Sequence, residues 1–298
     1  MSYIGRFAPS PTGSLHFGSL VAAVASYCDA RSNSGKWLLR MEDLDKPREI
    51  KGAANDILRT LEAYGFTWDK AVIYQSKRSA LYENALNTLQ KKDLIYPCTC
   101  TRKEIADSRS CMGIDGVIYP KTCLLESVKP NKNIAWRIKT NQNAIYFYDT
   151  IQGKISHVLN EQVGDFILKR ADGFFAYQLA VIVDDAAQGV TQIVRGADLL
   201  DSTTRQIYLQ QQLNFAIPHY AHVPIVNNLA GEKLSKQTLA EPIIRHLPTH
   251  QLFRALSFLG QNPPLEIKNT TLNEVWFWAI THWNIAKVPR QTHIKIPH

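Results

Sequence analysis

Residues 6–20 read RFAPSPTGSLHFGSL, and the fold follows from how this stretch is interpreted. Two prolines and a Thr-Gly pair make a stiff turn, and one histidine, His16, stands just before the small and apolar run VAAVASYC (Val21–Cys28). Tyr3 to Ala8 reads as a short buried strand. The segment from about Leu15 to Arg31 reads as a helix that stops near Ser34 and Gly35. KWLLRMED (Lys36–Asp43) is then a second strand with its acids at the carboxyl end. Strand, helix and strand in about 40 residues make a βαβ unit, which implies a parallel sheet with helices on its faces.

In such a sheet, ligands sit beyond the carboxyl ends of the strands. There, helix N-termini turn free N–H groups and a positive dipole end toward an anion. At that turn His16 can donate to a phosphoryl oxygen, and Gly18 lets a nucleotide lie against the backbone. Taken alone, the same residues also fit a plain helix cap. A second element, GEKLSKQ (Gly231–Gln237), holds Lys233, Ser235 and Lys236 in a Gly-initiated loop. Lysine is a mobile point charge suited to triphosphate and pyrophosphate oxygens, although KLSK alone would also fit a solvated surface loop.

At 298 residues and 45% hydrophobic content, the chain can build one large domain or two smaller ones. It has no apolar run near the length of a membrane span and no leader with a cleavage site, so a soluble, cytoplasmic protein with no membrane partner is expected. A formal charge of +8 favours a polyanionic partner, nucleic acid before membrane. Five cysteines do not make a disulfide framework, and Cys28, alone in an apolar helical stretch, reads as a core residue. Cys98, Cys100, Cys111 and Cys123 crowd together. PCTCTRKE and YPKTC supply three close thiolates that suggest a structural Zn²⁺, with the fourth ligand open between Cys111 and Tyr119.

Helical patterns follow over Ala53–Tyr64 and Arg78–Asp93. The stretch from Tyr96 to about Asn143, rich in Cys, Gly, Pro and Lys, reads as an insertion. Phe174–Leu200 reads as a return to apolar strands, Ser202–Leu213 as a helix, and Pro242–Leu259 and Leu272–Ala286 as two more. The expected division is a first half of an α/β domain (1–95), an inserted segment (96–143), a second half carrying KLSKQ (144–240) and a short helical end (241–298).

RFAPSPTGSLHFG, LLRMEDLDKPRE, IVRGADLLDSTTRQ and GEKLSKQ, in that order from Tyr3 to Ala240, closely resemble the catalytic domain of glutamyl-tRNA synthetases. These are class I aminoacyl-tRNA synthetases with a Rossmann-like α/β fold. The His16 segment is similar to their HIGH signature, with Ser19 replacing the final residue, and KLSKQ to KMSKS. The resemblance implies that L-glutamate and ATP, accompanied by Mg²⁺, form glutamyl-adenylate with loss of pyrophosphate. His16 would stabilise the pentavalent phosphorus, and Lys236 with Lys233 the departing pyrophosphate. Gly18 and Ser235 complete the ATP contacts. Arg6 and Arg195 would grip glutamate, Ser10 and Tyr177 would add polar contacts, and Phe7, Ala8 and Pro9 belong to the same segment. Glu42 would meet the α-ammonium, while Asp184 and Asp185 would hold the architecture.

Two departures narrow the resemblance. Residues 237–298 hardly hold an anticodon-binding domain, and GADLL (Gly196–Leu200) stands where synthetases usually carry an acidic-His pair. The C-x-C…Y-x₃-C pattern is similar to that of short glutamyl-tRNA-synthetase-like proteins, which implies Cys98, Cys100, Tyr119 and Cys123 as the zinc set. Together these features resemble the glutamyl-queuosine tRNA(Asp) synthetases, which activate glutamate without tRNA and transfer it to queuosine in the anticodon of tRNA(Asp). The competing expectations are a truncated glutamyl-tRNA synthetase charging the terminal ribose of tRNA(Glu), and an inactive paralogue that only binds RNA. A monomer is expected in each case.

Overall fold

The computed structural model describes residues 2–108, 110–126, 128–130, 132–229, 231 and 242–296. Its opening is the βαβ unit: β1 (Ile4–Phe7), α1 (Phe17–Ser32) and β2 (Lys36–Met41), with β1 parallel to β2 and Ile4 opposite Lys36. Gly35 lets α1 turn back into β2, because a Cβ there would come within 2.7 Å of the Tyr3 side chain. The amphipathic α2 (Ala53–Ala63) leads to β3 (Ile73–Tyr74), parallel to β2, and then to α3 (Ser79–Lys91).

The next stretch runs through β4 (Ile95–Cys98), α4 (Arg102–Ala106), β5 (Met112–Gly113), β6 (Gly116–Val117), α5 (Thr122–Leu125) and β7 (Ala135–Ile138). A hairpin of β8 (Ala144–Asp149) and β9 (Gly153–Val158) follows, then α6 (Leu159–Gln162) and β10 (Ile167–Lys169). β4, β7 and β10 form one antiparallel sheet, so its last strand comes from beyond residue 143.

The stretch expected as strands over Phe174–Leu200 is instead a helix, α7 (Tyr177–Gln188), followed by one strand, β11 (Gln192–Gly196). Leu179 to Asp185 are all buried, so the run LAVIVDD has no polar face to reveal a helical period. Gly189, left-handed at φ 69°, ends the helix. α8 (Ser202–Leu213) and β12 (His219–Val223) follow, with β12 parallel to β11. β13 (Ile225–Asn227) comes next. α9 (Pro248–Phe258) begins six residues later than expected, with proline in its first turn. α10 (Leu272–His282) ends earlier, and β14 (His293–Lys295) pairs with β13.

α1 is apolar almost all round and buried accordingly, packed between β1 and β11 on one side and α9 and α10 on the other. Cys28 is fully buried there. Trp276 of α10 closes this core: its ring lies 4.7 Å from Tyr27 and 4.8 Å from Phe66, and its indole N–H donates to the Tyr64 carbonyl at 2.9 Å. A second core gathers α3, α7, α8 and β8 around Leu179, Ile182, Ile207 and Leu209. No helix among the described residues is long and apolar enough to cross a membrane.

Candidate active site

The sheet β3-β2-β1 meets the sheet β11-β12-β8-β9 at one point. The Thr191 N–H donates to the Ile4 carbonyl at 2.9 Å, and the Ile4 N–H donates to Thr191 Oγ1 at 2.9 Å. From β1 the chain winds one way to β2 and β3, and from β11 the other way to β12. The carboxyl ends of β1 and β11 therefore flank a topological switch point, where α/β folds bind ligands.

The turn of residues 8–16 lies across this opening. The Glu42 N–H donates to the Pro9 carbonyl at 2.9 Å, Thr12 N–H to Ser10 O at 2.8 Å and Ile50 N–H to Pro11 O at 3.0 Å. Gly13, at φ 137°, supplies a backbone conformation that side chains disfavour. The turn delivers His16 to the N-cap of α1. There Nδ1 accepts the Ser19 N–H at 3.4 Å and Nε2 lies 3.1 Å from Ser19 Oγ. Gly18 sits in the first turn of the same helix. Lys233, Ser235 and Lys236 lie outside the described residues. After them the chain pairs with the histidine segment: Pro242 bridges His16, and the Ile243 N–H donates to Leu15 O at 3.0 Å; before them, the Gly231 carbonyl accepts from Asn227 Nδ2 at 2.8 Å.

Behind the turn lies a buried charge network. Arg40 Nη1 bonds Asp185 Oδ1 at 2.8 Å and Gln188 Oε1 at 2.7 Å, Nη2 bonds Glu42 Oε1 at 3.1 Å, and Nε lies 3.9 Å from Asp184 Oδ2. Arg6 Nε reaches Asp185 Oδ1 at 3.4 Å. Asp184 accepts from Gln75 at 2.9 Å, Arg78 at 2.5 Å and Tyr82 at 2.7 Å. Three guanidiniums face three carboxylates, so each buried charge has a partner. Burial works against the Asp185 carboxylate, yet Arg40 and Arg6 prevail and hold it below the usual range. For Glu42, burial prevails over both arginines and raises it. Arg40 carried no expected role. Its only signal was a cation inside the apolar strand KWLLRM.

Arg195, at the end of β11, is 4% exposed and bound on three edges. Nε donates to His222 Nε2 at 3.0 Å, Nη2 to Thr203 Oγ1 and Gln206 Oε1 at 2.8 Å each, and Nη1 to Tyr177 Oη at 3.3 Å. Tyr177, the first residue of α7, is raised by burial and feels the charges of Arg195, Glu42, Arg6 and Asp185. Arg6, Glu42, Tyr177 and Arg195 thus share one electrostatic neighbourhood. Phe7 does not present its side chain there: its ring stacks on Trp37 with centroids 6.1 Å apart, inside the first core. Ala8 and Pro9 are half-buried turn residues, and Ser10 is exposed. His222 and Asp149, both buried beside Arg195, were not legible as site residues because nothing in their flanking sequence marks them.

The cysteine cluster is a separate centre. The sulfurs of Cys98, Cys100 and Cys123 all lie within 4.8 Å of one another. Tyr119 Oη is 3.4 Å from the sulfurs of both Cys98 and Cys100, and accepts the Cys123 N–H at 2.9 Å. Arg137 donates to Cys98 Sγ at 3.2 Å, its guanidinium 3.9 Å from the Tyr119 ring centroid. Burial raises the Cys123 thiol, but N–H donation from Thr99 and bonds from Tyr119 and Cys100 bring it down to about 6. Three sulfurs and a phenol oxygen converging on one point fit a tetrahedral zinc, with Arg137 as an outer partner. Cys111 is exposed and does not join the cluster.

A family model for the catalytic domain of class I tRNA synthetases (E and Q) matches residues 4–250. The chain belongs to this family, the class I aminoacyl-tRNA synthetases, which are ligases. Within it, the curated relatives are named glutamyl-Q tRNA(Asp) synthetase. That of Dechloromonas aromatica (strain RCB) is 53% identical over 296 residues, 99% of this chain and 98% of its own. That of Aromatoleum aromaticum (strain DSM 19018 / LMG 30748 / EbN1) is 53% identical over 297 residues, 99% of this chain and 93% of its own. A crystal structure of a glutamate tRNA ligase from Elizabethkingia meningosepticum CCUG26117, in complex with its amino acid, shares the fold with a TM-score of 0.78 at 24% identity. The match covers 98% of this chain and 66% of that one.

Proposed function

We propose that the chain activates L-glutamate with ATP in the absence of tRNA and transfers the glutamyl group to queuosine in the anticodon of tRNA(Asp). One observation carries the first half. β1, β2, α7 and β11 bring Arg6, Glu42, Tyr177 and Arg195 together, and the Pro9–Glu42 hydrogen bond ties that group to the turn that carries His16. The family relationship and the name of relatives 53% identical over nearly their whole length support the second half.

In the first step, the glutamate α-carboxylate attacks the α-phosphorus of ATP in line, the bond to the β-phosphate oxygen breaks, and pyrophosphate leaves. Positioning and charge stabilisation supply most of the acceleration. Arg195 and Arg6 hold the side-chain carboxylate, Tyr177 and Ser10 add polar contacts, and Glu42 takes the ammonium. His16, whose Nδ1 accepts the Ser19 N–H, exchanges the Ser19 Oγ contact of Nε2 for the equatorial phosphoryl oxygens, and Gly18 leaves room for the nucleotide. Lys233 and Lys236, with Ser235, take the pyrophosphate, and Mg²⁺ travels with the ATP. In the second step, a hydroxyl of queuosine's cyclopentenediol attacks the mixed-anhydride carbonyl, and AMP leaves. Cys98, Cys100, Tyr119 and Cys123 would hold a structural Zn²⁺, which would clamp the segment 96–143, the inserted part of the four-part division expected above. The protein acts as a cytoplasmic monomer.

Glutamate-dependent ATP–pyrophosphate exchange without tRNA tests the first step, and its absence would leave an RNA-binding paralogue. Charging of queuosine-containing and queuosine-free tRNA(Asp) beside tRNA(Glu), with mass analysis of the nucleosides, tests the second. Glutamate found on a terminal ribose would overturn it.

A further inference from the structure

We propose that Asp149 and His222 are positioning residues for Arg195: Asp149 fixes the His222 tautomer that accepts from Arg195 Nε, and thereby aims the Nη1 edge at the side-chain carboxylate of the bound amino acid. The inference deepens the assignment of Arg195 to glutamate and rests on it.

Guanidinium nitrogens only donate. Because Arg195 Nε–H meets His222 Nε2 at 3.0 Å, that ring nitrogen must accept, and the ring proton sits on Nδ1. Nδ1 then donates to Asp149 Oδ2 at 2.6 Å, with both side chains fully buried. The other carboxylate oxygen is fixed independently: Asp149 Oδ1 accepts the backbone N–H groups of Ile151 at 3.0 Å, Gln152 at 2.9 Å and His222 at 3.1 Å. The parallel pairing of β8 with β12, which sets Asp149 opposite Tyr220, brings together residues 73 positions apart. With Nε held by His222 and Nη2 by Thr203 and Gln206, Nη1 has one partner among the described residues, Tyr177 Oη, and faces the Glu42–Arg6 neighbourhood. Stacking of the Tyr220 and His222 rings, 10° from parallel, keeps the imidazole in plane.

Asp149→Asn isolates this relay. The asparagine oxygen keeps the three backbone N–H bonds, while its NH₂ replaces Oδ2. The histidine must then accept at Nδ1 and carry its proton on Nε2, where Thr203 Oγ1 at 3.2 Å can take it but Arg195 Nε–H, itself a donor, loses its acceptor. The measurement is glutamate-dependent ATP–pyrophosphate exchange without tRNA, with KM determined separately for glutamate and ATP. Asp149→Asn is expected to raise the glutamate KM roughly 10- to 100-fold and leave the ATP KM within about twofold. His222→Leu should behave likewise. His222→Gln, whose amide oxygen can accept from Arg195 without help from residue 149, should recover most of the loss, both alone and combined with Asp149→Asn. Equal rises in both KM values, or no difference between His222→Leu and His222→Gln, would overturn the relay. The Leu and Gln pair decides it even if Asp149→Asn does not fold. Arg195→Lys tests the underlying assignment separately: an unchanged glutamate KM there would remove Arg195 from the glutamate site, whatever the relay variants do.

Discussion

His16 caps α1, and the phosphate role proposed for it would come on top of that cap. The cap uses its backbone and Nδ1, and its backbone also pairs with Pro242. Replacing it with alanine should therefore cost two things. Pyrophosphate exchange is expected to fall about 10²-fold or more through loss of a charge-stabilising donor. Thermal or denaturant unfolding should also show a loss of about 1 kcal/mol from the cap. Lys236→Ala should show the exchange loss alone, and a wild-type exchange rate in either variant would show that the phosphate site lies elsewhere. The other decisive imidazole is His222, whose burial, outweighing the help of Asp149, lowers it from 6.5 to about 4. As pH falls below about 6.5, the unfolded chain takes up this proton before the folded one does. Stability is then complete above that pH and declines toward pH 4, by at most roughly 3 kcal/mol. Asp149, held below its usual range against burial by His222, adds its own loss only at still lower pH. Unfolding midpoints measured from pH 7 to 4, flat in His222→Gln and sloping in the unchanged chain, would check the assignment.

Among the elements, the part from the end of β4 to α5 depends on chemistry more than on apolar packing. Its small core is Tyr96, Cys98 and Tyr119 with Cys100, Ile105 and Cys123 against it. Cys98→Ser is expected to release zinc from the purified protein and to raise protease sensitivity between residues 96 and 169, with exchange activity affected less than tRNA charging. Metal analysis and limited proteolysis read this out, and protein with no zinc from the start would refute the zinc site. α7 teaches a different lesson about elements. Its β-branched centre, AVIV, has strand propensity, but the layer between α3 and α8 buries it on every side, and tertiary packing overrides propensity. The consequence is functional. As a helix, this stretch places Tyr177 at its start, against Arg195, and the Asp184–Asp185 pair two turns later, so one element contributes both the hydroxyl proposed for glutamate and the anions behind it.

Across the whole molecule, the Arg40 network joins β1, β2, α3 and α7, which lie far apart in the chain. Arg40→Met fills the space but leaves Glu42, Asp184 and Asp185 short of a cation, and is expected to destabilise the fold by about 3–5 kcal/mol. Denaturant midpoints measure the loss. A variant as stable as the parent would show the network to be dispensable. The sequence alone determined the βαβ opening and the gathering of Cys98, Cys100 and Cys123, because turns, caps and cysteine spacings are local and leave a mark within a few positions. It could not determine that LAVIV is helical, that Phe7 turns inward to Trp37, or that Arg40, His222 and Asp149 stand behind the site. Those facts arise from burial on all faces and from pairing between strands distant in the chain, and such partners exist only once the two sheets have met at Ile4 and Thr191.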